Sequence, residues 1–280
     1  MANAIFLQSA ANPASPAAEA PYLEKDWAIR RGVTKALYDF SNPDPVLVSG
    51  ALSTGTVLKN LVVGGADANT LNAWPAIYNG TLRTLGAQAF AQVALPTSVF
   101  VFGTGVTKAL VTFWLRAVKS GWPNNTIENV FYVGGNQVQY QMYLQDISND
   151  GVIDYVVLRI KNQAGANIDV TLSGAVVDSL LDGNLHQVAF LMEISGGVAK
   201  ATIYTDGVAR GDNQGAATSL YQPTGTLTAQ AMSDVARNTA RSNLDTRMGR
   251  IAAYDLTGSA ITVADILARD VQAAAAGGLA

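Results

Sequence analysis

The chain of 280 residues holds one histidine and no cysteine. That removes thiol nucleophiles, Cys-ligated zinc, iron–sulfur clusters and any disulfide framework. A single His also excludes every site that needs two imidazoles. His186 as a general base would need a nucleophile and an orienting partner at hydrogen-bond range. Strand alternation instead places it with Val188 and Phe190, facing a core. Glycoside hydrolysis requires paired carboxylates about 5–5.5 or 6.5–9.5 Å apart. Glu19, Glu24, Glu128 and Glu193 are isolated from one another. No Gly-x-Ser-x-Gly elbow is present. The glycine clusters at Gly64-Gly65 and Gly103-Thr104-Gly105 lack the Lys-Ser/Thr helix start of a phosphate loop and read as turns.

Two patterns remain with chemistry to offer. Asp146, Ser148, Asp150 and Asp154 place oxygens at positions 1, 3, 5 and 9 of a calcium-type loop, with Gly151 at position 6. Val157 occupies position 12, where a bidentate carboxylate belongs, so a polar hairpin turn is the competing reading. Aromatic and amide side chains suited to sugar are found at Trp74, Tyr78, Trp122, Asn124, Asn125 and Tyr143. Ordinary aromatic packing is their alternative. Beyond calcium no cofactor is implied.

Composition narrows the setting. Charged residues make up 14% of the chain, with 18 Lys+Arg against 21 Asp+Glu and a net charge of -3. About 25% is usual. No basic run exists, which argues against nucleic acid. No stretch reaches about 18 apolar residues, which argues against a spanning helix. The start Met1-Ala2-Asn3-Ala4 has no basic n-region, so synthesis and folding in a cytoplasm are expected.

The elements that must position these residues are mostly strands. β-type runs at 57–63, 81–85, 97–102, 107–117, 128–133, 137–145, 152–160, 167–172, 185–194, 198–205 and 247–255 are separated by Gly/Asn/Asp turns. Residues 137–145 alternate most cleanly, with Gln137, Gln139, Gln141, Tyr143 and Gln145 on a wet, uncharged face. Residues 261–275 predict a helix, capped by Thr262 with Asp265 three residues on. Residues 22–40 hold a weaker helical pattern, broken by Asn42-Pro43. Residues 9–21 are rich in Pro and Ala and read as an arm. A boundary near residue 50 divides an arm or anchor segment, 1–50, from a β-domain, 51–280.

Four segments then acquire a shared meaning. Leu181-Asp182-Gly183-Asn184-Leu185-His186-Gln187-Val188-Ala189-Phe190 resembles the D-G-x-W-H-x-V-A strand of laminin G-like domains, members of the concanavalin A-like lectin/glucanase superfamily. Ala201–Val208 resembles that family's x-L-Y-V-D-G strand and turn. Ala109–Arg116 is similar to its F-T-I-S-F-W-V-K strand, and Met248–Asp255 to its closing strand. The four occur in family order across roughly residues 58–275. Leu185 stands where Trp is usual, and Ala252-Ala253 replaces a common acidic pair. The resemblance implies an all-β, two-sheet antiparallel jelly-roll sandwich, with His186 as a packing residue.

These features together predict a non-catalytic structural or surface protein of a virus particle, such as a bacteriophage capsid-decoration, head-fibre or tail component, assembled in the host cytoplasm. Its expected partners are other virion proteins, further copies of itself and host surface glycans, with no nucleic acid and no membrane insertion. The arm would anchor it, burying Phe6, Tyr22, Trp27 and Tyr38 on assembly. The alternatives are a glycan-binding module of a cell-surface protein and, more distantly, a glycoside hydrolase.

Overall fold

A computed structural model describes residues 32–41, 50–71, 75–84, 93–122, 124, 127–232 and 246–279. The strands in chain order begin with β1 (Thr34–Tyr38), β2 (Gly50–Ala51), β3 (Val57–Leu58), β4 (Ala68–Thr70), β5 (Pro75–Tyr78), β6 (Thr81–Thr84) and β7 (Val93–Ala94). The long strands follow: β8 (Lys108–Val118), β9 (Ile127–Gly134), β10 (Val138–Gln145), β11 (Tyr155–Lys161) and β12 (Asn167–Ser173). The series closes with β13 (Asp182–Ser195), β14 (Val198–Thr205), β15 (Val208–Ala216), β16 (Thr228–Ala231) and β17 (Arg247–Asp255).

They form two antiparallel sheets. The first runs β15-β14-β13-β8-β17-β6-β5-β2, with β1 also paired to β17; the second runs β12-β11-β10-β9-β16-β7-β4-β3. The expected two-sheet sandwich is the observed fold. Between the sheets Phe100, Phe113, Phe131, Tyr140 and Phe190 form a connected ring cluster, with centroids 5.5 to 6.2 Å apart. Such tilted and offset pairs contribute beyond the area they bury.

At its centre the first sheet buries both faces. Its outer face carries Leu110, Leu191, Ala252 and Tyr254, which pack against Val263, Ile266 and Leu267. Those three belong to the C-terminal helix Val263–Ala276, which a Thr262–Asp265 capping box starts and Gly277 ends. Both faces of β8 read as apolar in sequence because a second sheet covers one and this helix covers the other.

Three expectations change. Residues 97–102 do not form a strand: Thr97–Phe100 is a short helix, with Val99 and Phe100 N–H groups donating to the Pro96 carbonyl and Phe100 sunk in the core. A short apolar run carries no period long enough to separate the two states. Residues 34–38, within the weak helical pattern, are strand β1. Tyr38, expected in an assembly arm, is 1% exposed inside the sandwich, paired in register with Ile251. The sandwich therefore begins ahead of residue 50. Phe6, Tyr22 and Trp27 lie outside the described residues.

Candidate functional site

The second sheet has one face in the core and one outward. On its outward face, cross-strand register places Asp169 beside Arg159, Arg159 beside Gln141, Gln141 beside Tyr132, and Tyr132 beside Gln230. All five are partly exposed. Strands spaced about 4.7–4.9 Å apart make this row on the order of 19 Å long. A second row runs Thr171, Val157, Tyr143, Asn129. Strand alternation generates the rows along β10 to β12, and antiparallel partners share a face; on β9 a register shift opposite Met142 and Tyr143 brings Asn129, three residues from Tyr132, into the second row.

The strongest contact on the face is a two-point ion pair. Arg159 Nε and Nη2 donate to the two Asp169 carboxylate oxygens at 2.8 and 2.7 Å. That bond raises the guanidinium pKa further, against partial burial. The guanidinium also lies 5.7 Å from the Tyr143 ring centroid. This stack leaves Tyr143 only 7% exposed, so the ring serves as a floor under Arg159. Amide, phenol, guanidinium and carboxylate groups in a row can exchange hydrogen bonds with ligand hydroxyls in both senses.

The polar face expected along residues 137–145 is only partly wet. Gln139 is fully buried: Phe102 N–H donates to its Oε1, and its Nε2 donates to the Phe102 and Tyr221 carbonyls. The loops carrying Phe102 and Tyr221 cover that end of β10. Gln141 and Gln145 remain open.

The other sugar candidates do not converge on this face. Tyr78 is 39% exposed on the β5–β6 hairpin of the first sheet, with Arg83 and Arg247 guanidinium carbons 4.9 and 4.5 Å from its ring centroid. Trp122 is 6% exposed in the core, and its indole N–H donates to the Val118 carbonyl at 2.7 Å. Asn124 is exposed beside Gly151. Trp74 and Asn125 lie outside the described residues.

The calcium-type loop uses its oxygens internally. Asp146 accepts the N–H groups of Asn149 and Gly151 at 2.7 and 3.0 Å. Asp154 accepts the N–H groups of Ile147 and Ser148 at 2.8 Å each, and the Ser148 hydroxyl. Those bonds, led by the Ser148 amide, lower the Asp154 pKa. Asp150 Oδ1 accepts the Val152 N–H. Turn closure occupies all three carboxylates. Among the described residues no group of three or more His, Asp or Glu is placed to hold a metal ion.

His186 has the strand parity expected of it, opposite Leu115, but at the end of the sheet. Its Nδ1 lies 2.8 Å from Asp206 and its Nε2 3.0 Å from Asp182. It is an ion-pair centre between two carboxylates, where the sequence suggested apolar packing. Partial burial opposes its charge, yet the bonds to Asp206 and Asp182 prevail and raise its pKa. The Asp182 carboxyl, also opposed by burial, is held at about 2 by Asn184 and His186.

Arg159, Asp169, Tyr132 and Gln230 were not singled out in the sequence. A signal existed for one pair: a hairpin between the expected strands 152–160 and 167–172 brings Arg159 to Asp169. Tyr132 and Gln230 meet only through β9–β16, a pairing distant in sequence that no turn announces.

No family model matches the chain, and no curated protein sequence does. Solved structures do resemble it in fold. The receptor-binding domain of botulinum neurotoxin D superposes with a TM-score of 0.57 at 8% identity, over 86% of this chain and 53% of that one. A structure described as showing that cell entry of botulinum neurotoxin type C depends on interaction with two ganglioside molecules gives 0.52 at 10% identity, over 88% and 53%. The serotype G binding domain gives 0.52 at 8% identity, over 85% and 51%. The likeness is one of fold, and this chain spans about half the length of those structures.

Proposed function

We propose that this chain is a non-catalytic carbohydrate-binding sandwich that engages glycan on the outward face of its second sheet. The observation that carries the reading is the Asp169–Arg159–Gln141–Tyr132–Gln230 row, a partly exposed and hydrogen-bond-rich surface on rigid strands. The similar structures, one described as a receptor-binding domain and one by interaction with two ganglioside molecules, support the reading at the level of fold. The lack of paired carboxylates in the row supports binding without hydrolysis. We further infer that the sandwich is a surface component of a virus particle, a capsid-decoration, head-fibre or tail protein. That part is supported by the low charge, the absence of cysteine and the Pro/Ala-rich segment at 9–21.

A glycan array followed by calorimetry tests the binding site. Saturable binding of at least one glycan is expected, weakened at least tenfold by Gln141→Ala and by Tyr132→Ala, with the fold unchanged by circular dichroism. No binding at millimolar glycan, or binding indifferent to both substitutions, would overturn it. Copurification with particles from infected cells tests the virion assignment, and a chain found only free of particles would exclude it.

A further inference from the structure

Two glycine turns that the sequence presents as ordinary loops meet at one end of the sandwich. Residues 62–66 of one, and Gly103 and Val106 of the other, wall a cavity of about 490 Å³. That volume lies within the roughly 300–1,000 Å³ of small-molecule sites. Both walls are preformed. Gly65 N–H donates to the Val62 carbonyl at 2.9 Å, and Val106 N–H to the Gly103 carbonyl at 3.0 Å. Asn60 braces the first turn: its Oδ1 accepts the N–H groups of Leu37 and Val62, and its Nδ2 donates to the Ala66 carbonyl. A Cβ on Gly65 would come within 2.3 Å of Asn60 Nδ2, so only glycine permits the brace. A wall that needs no ordering on binding favours affinity.

The lining combines an apolar body with two opposite charges. Val62, Val99, Val101, Phe102 and Val106 supply the apolar part, and Lys35 and Asp255 the charges. Lys35 makes no ion pair among the described residues, and the Asp255 carboxylate meets only the Thr257 N–H at 3.0 Å. Thr34, which also lines the cavity, is 4% exposed, and its hydroxyl has no hydrogen-bond partner. A fatty acid would set its anion near Asp255 with nothing to answer that carboxylate. A neutral sugar would leave the valine walls poorly filled.

We infer that this cavity binds a small apolar zwitterion, an apolar amino acid or short apolar peptide. Its carboxylate sits at Lys35, its ammonium at Asp255, and its side chain against the valines.

Calorimetric titration of the full chain with leucyl-leucine, N-acetyl-leucyl-leucine and leucyl-leucinamide tests this. The dipeptide should bind saturably, and each charge-blocked analogue at least tenfold more weakly. Lys35→Met should weaken the dipeptide at least tenfold yet leave the amide unchanged. Asp255→Asn, which retains an acceptor for Thr257, should do the same for the dipeptide relative to the N-acetyl form. Gly103→Phe should obstruct the cavity, since Gly103 lines it and a Cβ there meets nothing within 4 Å that would unsettle the fold. No saturable binding of the dipeptide at millimolar concentration would overturn the inference. So would equal affinity for all three ligands, which the wild-type chain decides without any variant. Binding that survives Gly103→Phe in a folded chain would place the ligand elsewhere.

Discussion

Arg250 is a buried cation held by two carboxylates. It is 3% exposed, and its backbone φ of 28° lies in the left-handed region that favours glycine. The bulge between Gly249 and Ile251 in β17 turns its guanidinium toward two buried carboxylates. Nε donates to Asp270 at 2.9 Å and Nη1 to Asp39 at 2.6 Å. Asp270 also accepts Trp114 Nε1 and Gln187 Nε2, each at 2.8 Å. This network ties β1, β8, β13, β17 and the C-terminal helix together. Removing one partner of a buried pair strands the others. Arg250→Met is therefore expected to lower unfolding stability by about 3–5 kcal/mol in chemical denaturation. An unchanged midpoint would show that the network is dispensable.

His186 makes a different kind of residue-scale prediction. Its pKa is raised in the fold, so its contribution is fully present below the unfolded value near 6.5 and is lost as pH rises through the raised folded value. The Asp182 pKa is depressed to about 2, so its contribution is present above the unfolded value near 3.8 and is lost as pH falls toward 2. The cluster stabilises most between those limits. Thermal melts should show a fall in stability from mildly acidic to mildly alkaline pH that His186→Phe flattens. A variant with the same slope as the wild type would exclude His186 as its source.

At the scale of elements, the C-terminal helix is the segment whose local signals agreed most fully with the outcome. Thr262 Oγ1 accepts the Asp265 N–H at 3.1 Å, and Asp265 accepts the Thr262 N–H in return. Thr262→Ala should cost about 1 kcal/mol, read from a denaturation midpoint. The long hairpin strands β10 to β14 were equally readable, because alternation and Gly turns act over a few residues. β1, β15 and β16 were not. β15 (Val208–Ala216) has mostly exposed side chains and two interior glycines, Gly211 and Gly215, which pack close against Leu172, Val170 and Ile168. A strand of that kind shows no hydrophobic period. β1 is short and becomes a strand only by pairing with β17, more than two hundred positions away.

At the scale of the molecule, the sandwich has three layers: the second sheet, the first sheet, and the helix on the first sheet's far side. β1 completes the middle layer, so the sequence boundary near residue 50 divides a folded unit. Deletion through residue 45 should lower the melting temperature relative to deletion through residue 31, because only the longer deletion removes β1 and the Asp39 carboxylate. Equal melting temperatures for the two would mean that β1 adds nothing to the fold. The candidate glycan face and the zwitterion cavity also belong to this scale. Each gathers residues from strands or turns far apart in the chain.

The sequence by itself determined the class of fold, the long hairpin strands, the capped helix and the scarcity of histidine and cysteine. These follow from period-two alternation, turn chemistry and composition, all of which act locally or by simple absence. Only the tertiary structure decided which glutamine of β10 is buried, that His186 stands between two aspartates, and that Tyr38 is core. It alone brought Tyr132 to Gln230 and one glycine turn to the other. Such outcomes depend on the register of distant strands and on which loop covers which face. Those are set by packing between segments whose own residues carry no mark of their partner.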